Sequence, residues 1–200
     1  MSRADPSMSN GPLSRRALVA GAAMLALCGA AGASPGFAID WQGGEQTPEV
    51  AASLAAQIAL VERVKVSDQV MAYFRAQTIT VDREMGTHTR AGPRGIFFER
   101  RPVPPDNPVL LHELIHRWQL ERMPGGKGNP DVLRFYQEAR ASGRYPAEAY
   151  MLSNPFEFFA MMASTVLHGR TARPPFLRAN VRAKSPELYA FIVREFGFRE

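Results

Sequence analysis

Cysteine is almost missing from this 200-residue sequence: Cys28 is the only one, and it stands in the leading segment. The rest of the chain can form no internal disulfide and offers no thiolate to a metal. An excess of one charge is missing as well. The formal net charge is +5, but residues 1–38 hold three arginines and one aspartate, which leaves 21 basic against 18 acidic residues beyond them. So slight a balance speaks against a nucleic-acid partner. Internal repeats, low-complexity tracts and dividing linkers are absent too. What remains is 46% hydrophobic and 22% charged, enough apolar side chain for one globular core at this length.

Residues 1–38 read as an export signal rather than as structure. A positive stretch ends at Ser14-Arg15-Arg16, an apolar run follows from Ala17 to about Ala31, and small residues close it. The run is too short and glycine-broken for a comfortable membrane span, so no stable span is expected after processing. Ala31-Gly32-Ala33 and Gly36-Phe37-Ala38 both offer a cleavage site. Ser14 to Val19 resembles the twin-arginine export motif, with Leu18 where that pattern prefers phenylalanine, which implies a periplasmic or secreted protein. Leu25 to Cys28 resembles a lipoprotein box, but Leu27 is bulky where a small residue is normal. Residues 39–200 are then expected to form a single domain.

In that part, Thr47-Pro48, Asn107-Pro108, Asn129-Pro130, Asn154-Pro155 and Ser185-Pro186 each precede an apolar stretch. A small polar N-cap followed by proline at the first helical position is a helix start. Helices are predicted over roughly 48–64, 108–122, 130–142, 155–168 and 186–195, with a short one at 68–76. Thr78 to Val81 and Gly95 to Glu99 are β-branched or aromatic runs fenced by glycine and proline, hence strands. The expected fold class is α+β, a small sheet followed by a mainly helical half.

His112-Glu113-Leu114-Ile115-His116 fits HExxH and falls inside a predicted helix. Residues four apart share one helix face, so both imidazoles can converge on one metal ion while Glu113 sits beside them as a general base. Leu110, Leu111, Leu114, Ile115 and Trp118 make this helix apolar nearly all round, as for one buried in a domain. The alternative is a pair of hydrogen-bonded histidines without metal, which would leave four ring nitrogens and a carboxylate to satisfy.

A catalytic zinc site needs a third protein ligand and an open position. The HExxHxxGxxH extension fails, because Gln119 and Glu121 to Met123 supply neither the glycine nor the third histidine. Among downstream carboxylates, Glu121 points away from the His112/His116 face, and Asp131 has an ordinary place in the first turn of its helix. Glu157 stands among phenylalanines in Asn154-Pro155-Phe156-Glu157-Phe158-Phe159-Ala160, where a carboxylate needs a partner. It is the favoured ligand, although Asn154-x-x-Glu157 also satisfies a variant capping box. His168, eleven residues on, lies about 16 Å along the helix and out of reach of the same ion.

His112 to His116, Tyr150, Asn154 and Glu157 to Ala160 together resemble the catalytic domain of anthrax lethal factor-like zinc metallopeptidases, a zincin group related to the Pro-Pro endopeptidases. The likeness spans about residues 108–196. It implies a zincin-like metallopeptidase domain with one Zn2+ per chain held by His112, His116 and Glu157. It also implies Glu113 as general base and Tyr150, seven residues before Glu157, as hydrogen-bond donor to the developing oxyanion. Met161 and Ile115 depart from the family pattern, which often has an acid and a small residue there.

The expected reaction is hydrolysis of a peptide bond by a zinc-activated water, with a peptide or protein as substrate. The substrate is expected to lie as an added strand along Gly95, Ile96, Phe97 and Phe98, since an unpaired edge offers backbone hydrogen bonds. Arg90, Arg94, Arg100 and Arg101 surround it. Two other functions fit the same residues: a non-catalytic extracytoplasmic zinc-binding domain, and a zinc amide hydrolase acting on the cell wall.

Overall fold

The computed structural model describes residues 36–43, 46–83 and 88–200. Nearly all of the expected export segment, with its arginine pair and Cys28, lies outside the described residues. The elements are β1 (Ala38–Trp41), α1 (Pro48–Glu62), α2 (Asp68–Arg75), β2 (Thr78–Val81), β3 (Arg90–Gly92), β4 (Gly95–Phe98), α3 (Val109–Glu121), α4 (Pro130–Ala141), α5 (Pro155–His168), α6 (Arg178–Lys184) and α7 (Pro186–Phe196). Single 3-10 turns occupy Gly126–Gly128 and Tyr150–Leu152. The arrangement is α+β, a small sheet followed by a mostly helical remainder, as the sequence predicts.

The sheet runs β1-β2-β4-β3, with β1, β2 and β4 parallel and β3 antiparallel to β4. Ile79, Val81, Ile96 and Phe98 are fully buried and alternate with partly exposed residues along β2 and β4, the period-2 signature of a strand. β1 and β3 escaped the sequence reading because they are short and lack a β-branched run. Phe37 is buried and Ala38 pairs with Thr78, so the folded part reaches back past residue 39.

β4 is therefore an interior strand, paired on one side by β2 and on the other by β3. This corrects the expected docking of substrate along Gly95, Ile96, Phe97 and Phe98. Backbone groups satisfied by two neighbours have none left to offer, and Ile96 and Phe98 point into the core. The edge on this side of the sheet is β3.

α3 packs against β3 and β4, α1 and α5, and its buried residues lie on every side of it. α5 is apolar almost throughout, with every residue from Phe158 to Leu167 buried. Phe159 stacks on Phe196 of α7 at 6.2 Å between ring centroids, and Gly169 closes α5 at φ +103, a value only glycine adopts freely. Thr47, Asn129 and Asn154 cap their helices by side-chain hydrogen bonds. Asn107 and Ser185 do not cap. The Ser185 hydroxyl pairs with that of Tyr145 at 3.0 Å, and α3 is capped from another helix.

Candidate metal centre

α3 starts at Val109 with no side-chain cap of its own. The fully buried Gln57 of α1 supplies one: its Oε1 accepts from Leu110 N at 3.1 Å, and its Nε2 donates to Asn107 O at 2.9 Å. Beginning two residues further on, the His112 and His116 rings meet edge to face at 4.5 Å. Phe156 stacks on His116 at 3.9 Å and holds the ring in place.

Glu157 enters from the first turn of α5, where Asn154 Oδ1 accepts its backbone N–H at 3.0 Å. Its carboxylate is turned to the two rings. Oε2 is 3.0 Å from His112 Nε2 and Oε1 is 3.4 Å from His116 Nε2. One donor atom from each of the three residues lies within 4.8 Å of the others. Two imidazole nitrogens and a carboxylate oxygen, three in number and open on one side, fit the donor set of an ion such as zinc. The group could hold a metal ion. His116 Nδ1 is buried without a hydrogen-bond partner, so packing rather than a second acceptor orients that ring.

Burial alone would raise the Glu157 carboxyl, but hydrogen bonds from His112 and His116 outweigh it and hold the group well below the usual range. Burial, helped by repulsion from His112, lowers His116 to about 4 against the pull of Glu157. At neutral pH His116 is thus an uncharged imidazole.

Glu113 is 6% exposed. Burial, then the charge of Glu157, pushes its carboxyl well above the ordinary value, opposed by a backbone hydrogen bond from Ala91 of β3 and by Arg90. Burial and a hydrogen bond with Glu157 push Tyr150 up to about 12, so its hydroxyl keeps its proton at neutral pH. His112, Glu113 and Tyr150 open on one cavity of about 220 Å³, together with Asn107, Val109, Met161, Ser164, Thr171 and Arg173.

The structure thus brings His112, Glu113, His116, Tyr150 and Glu157 together and leaves the β4 residues in the sheet. Met161 lines the cavity, whereas Ile115 is fully buried in the core. Glu121 faces away, accepting from Tyr73 and Arg117. Gln57, Ala91, Thr171 and Arg173 were not foreseen. A glutamine within a helix and an arginine before two prolines carry no local pattern that sets them apart.

No protein-family model and no curated protein matches the sequence. A solved structure shares the fold. It is the PRO-PRO endopeptidase PPEP-2 from Paenibacillus alvei, matched with a TM-score of 0.55 at 16% identity over 80% of this chain and 96% of that one. At this identity the likeness is one of fold.

Proposed function

We propose that this chain is an exported zinc-dependent metallopeptidase of zincin-like fold that cleaves peptide bonds. The observation that carries the reading is the convergence of His112, His116 and Glu157 donors within 4.8 Å, with His112 opening on the cavity that Glu113 and Tyr150 also line. The fold shared with an endopeptidase supports it. His112, His116 and Glu157 would hold one zinc ion.

Zinc, when bound, supplies a Lewis acid that polarises the scissile carbonyl and acidifies water. Glu113 takes a proton from the attacking water and returns it to the leaving amine, the work of a general base and then of a general acid. Tyr150, protonated and directed towards Glu157, donates a hydrogen bond to the carbonyl oxygen as charge builds there. The peptide runs beside β3, the edge strand nearest Glu113. Ala91 fixes Glu113 from that strand, and Arg117 ties the strand to α3 through Gly92 O at 2.5 Å.

Export belongs to the same proposal. Cleavage at Ala31-Gly32-Ala33 leaves Phe37 and β1 whole, while cleavage after Ala38 would remove a core side chain and the first paired residue of the sheet. N-terminal sequencing of the exported protein tests this. Among the described residues no helix is long and apolar enough to cross a membrane.

Metal analysis combined with hydrolysis of a peptide library tests the activity. The expected result is about one zinc per chain, hydrolysis by the wild type, and zinc without hydrolysis in Glu113→Gln. Equal turnover by wild type and variant would overturn the mechanism. Zinc binding with no turnover at all would make the chain a binding domain, and cleavage of peptidoglycan alone would make it a cell-wall amide hydrolase.

A further inference from the structure

Thr171 and Arg173 line the cavity from a short loop, residues 170–177, that the proposed chemistry leaves without a task. Its stem is closed by an antiparallel bridge between Arg170 and Leu177. Inside it, Thr171 N donates to Phe176 O at 2.8 Å and Phe176 N to Arg173 O at 2.9 Å. The buried Thr171 hydroxyl donates to Arg173 O at 2.9 Å and meets the Thr165 hydroxyl of α5 at 3.0 Å. Pro174 and Pro175 stiffen the tip further, and Phe176 is held at φ +64, a value that a bulky side chain rarely adopts. The loop is thus locked to α5, two turns beyond Glu157.

What this loop presents is Arg173. Its guanidinium lies 5.2 Å from the centre of the Tyr150 ring and lines the cavity with His112, Glu113 and Tyr150. The neighbouring arginines are already engaged. Arg90 pairs with Asp82 at 2.6 Å, Arg101 pairs with Glu99, and Arg170 stands 3.8 Å from Asp106. Arg173 has no carboxylate partner among the described residues, and the carboxylates of the cavity, Glu99 and Glu113, are engaged elsewhere. A planar five-donor cation held on a rigid loop is pre-organised for a carboxylate arriving from solvent.

We propose that Arg173 binds a carboxylate of the substrate close to the scissile bond, which makes acidic peptides the substrate class of this site. The proposal rests on the peptidase reading. The carboxylate can come from an aspartate or glutamate side chain or from a free C-terminus, and these are separable.

The test compares blocked peptide libraries in which glutamate at each position is exchanged for glutamine, each with free and with amidated C-termini. The wild type is expected to cleave glutamate-bearing or free-acid peptides about tenfold faster in kcat/KM than their amide isosteres, the value of one charge-assisted contact. Arg173→Gln should remove that preference, and Arg173→Glu should transfer it to lysine at the same position. A preference carried by the side-chain pairs identifies an internal acid; one carried by the terminal pairs identifies the chain end.

Cleavage of acid and amide peptides within twofold of each other overturns the role of Arg173 and leaves the peptidase reading standing. If no peptide is cleaved, the peptidase reading falls, and binding decides the inference. Glu113→Gln protein should retain the glutamate library over the glutamine library, and the double variant with Arg173→Glu should not. Equal retention overturns it.

Discussion

Gln57 and Leu110 form the hydrogen bond that starts the histidine-bearing helix: the Gln57 Oε1, fully buried in α1, accepts the Leu110 N–H at 3.1 Å. The same amide donates to Asn107 O at 2.9 Å and to Pro104 O at 3.3 Å. One side chain therefore satisfies both sides of the bend that leads into α3.

Gln57→Leu nearly keeps the volume but leaves the Leu110 N–H without its partner and the Asn107 and Pro104 carbonyls with their backbone donors alone. The expected loss is about 1–3 kcal/mol of folding stability, read by urea denaturation. Metal affinity should fall with it, because His112 sits only two residues beyond Leu110. Gln57→Glu can still accept from Leu110 but cannot donate to the two carbonyls, and it should be worse than Gln57→Leu.

Glu157→Ala should abolish stoichiometric metal binding, since it removes one of three donors and leaves only the buried His116 and half-buried His112 imidazoles. The check is zinc content after gel filtration, beside a thermal melt with and without added zinc. The wild type should gain stability from the metal and the variant should not.

Tyr150→Phe and Glu113→Gln should differ in degree. Losing one oxyanion donor costs about 10²–10³ in turnover, whereas losing the general base costs about 10²–10⁴. Both variants should keep the metal. Tyr150 is 46% exposed, so its replacement should leave stability nearly unchanged, and circular-dichroism melts separate this from a folding defect.

His168 gives a pH dependence away from the candidate metal ligands. Burial, then the charge of Arg170, pushes its imidazole below the ordinary value, offset in part by the backbone of Asp106. The unfolded chain thus takes up a proton near pH 6.5 that the folded chain still refuses. Stability should fall as the pH drops below about 6.5 and level off once the folded group titrates. His168→Leu should flatten that part of a stability-against-pH curve; an unchanged slope would contradict the assignment.

The legible part of this molecule was its punctuation and its one dense motif. Proline after a small polar residue marked Pro48, Pro130, Pro155 and Pro186 as first helical residues. HExxH spacing placed two imidazoles on one face, and a carboxylate among phenylalanines identified Glu157. These are local signals, written within one or two helical turns. β3 has three residues and no β-branched side chain, α6 lacks a capping residue, and Gln57 meets Leu110 across 53 positions of sequence. Such contacts are decided by tertiary packing, which periodicity cannot reveal. The misplaced docking strand has the same origin: Gly95 to Phe98 looked like an edge because its partner was too short to recognise.

That shortness has its own consequence. An incoming backbone aligned with Arg90–Gly92 meets three residues, one of whose N–H groups is already held by Glu113. Main-chain pairing of that extent would grip weakly and read nothing of identity, so under the proposed function discrimination would fall to cavity side chains such as Arg173 and Met161 rather than to the strand.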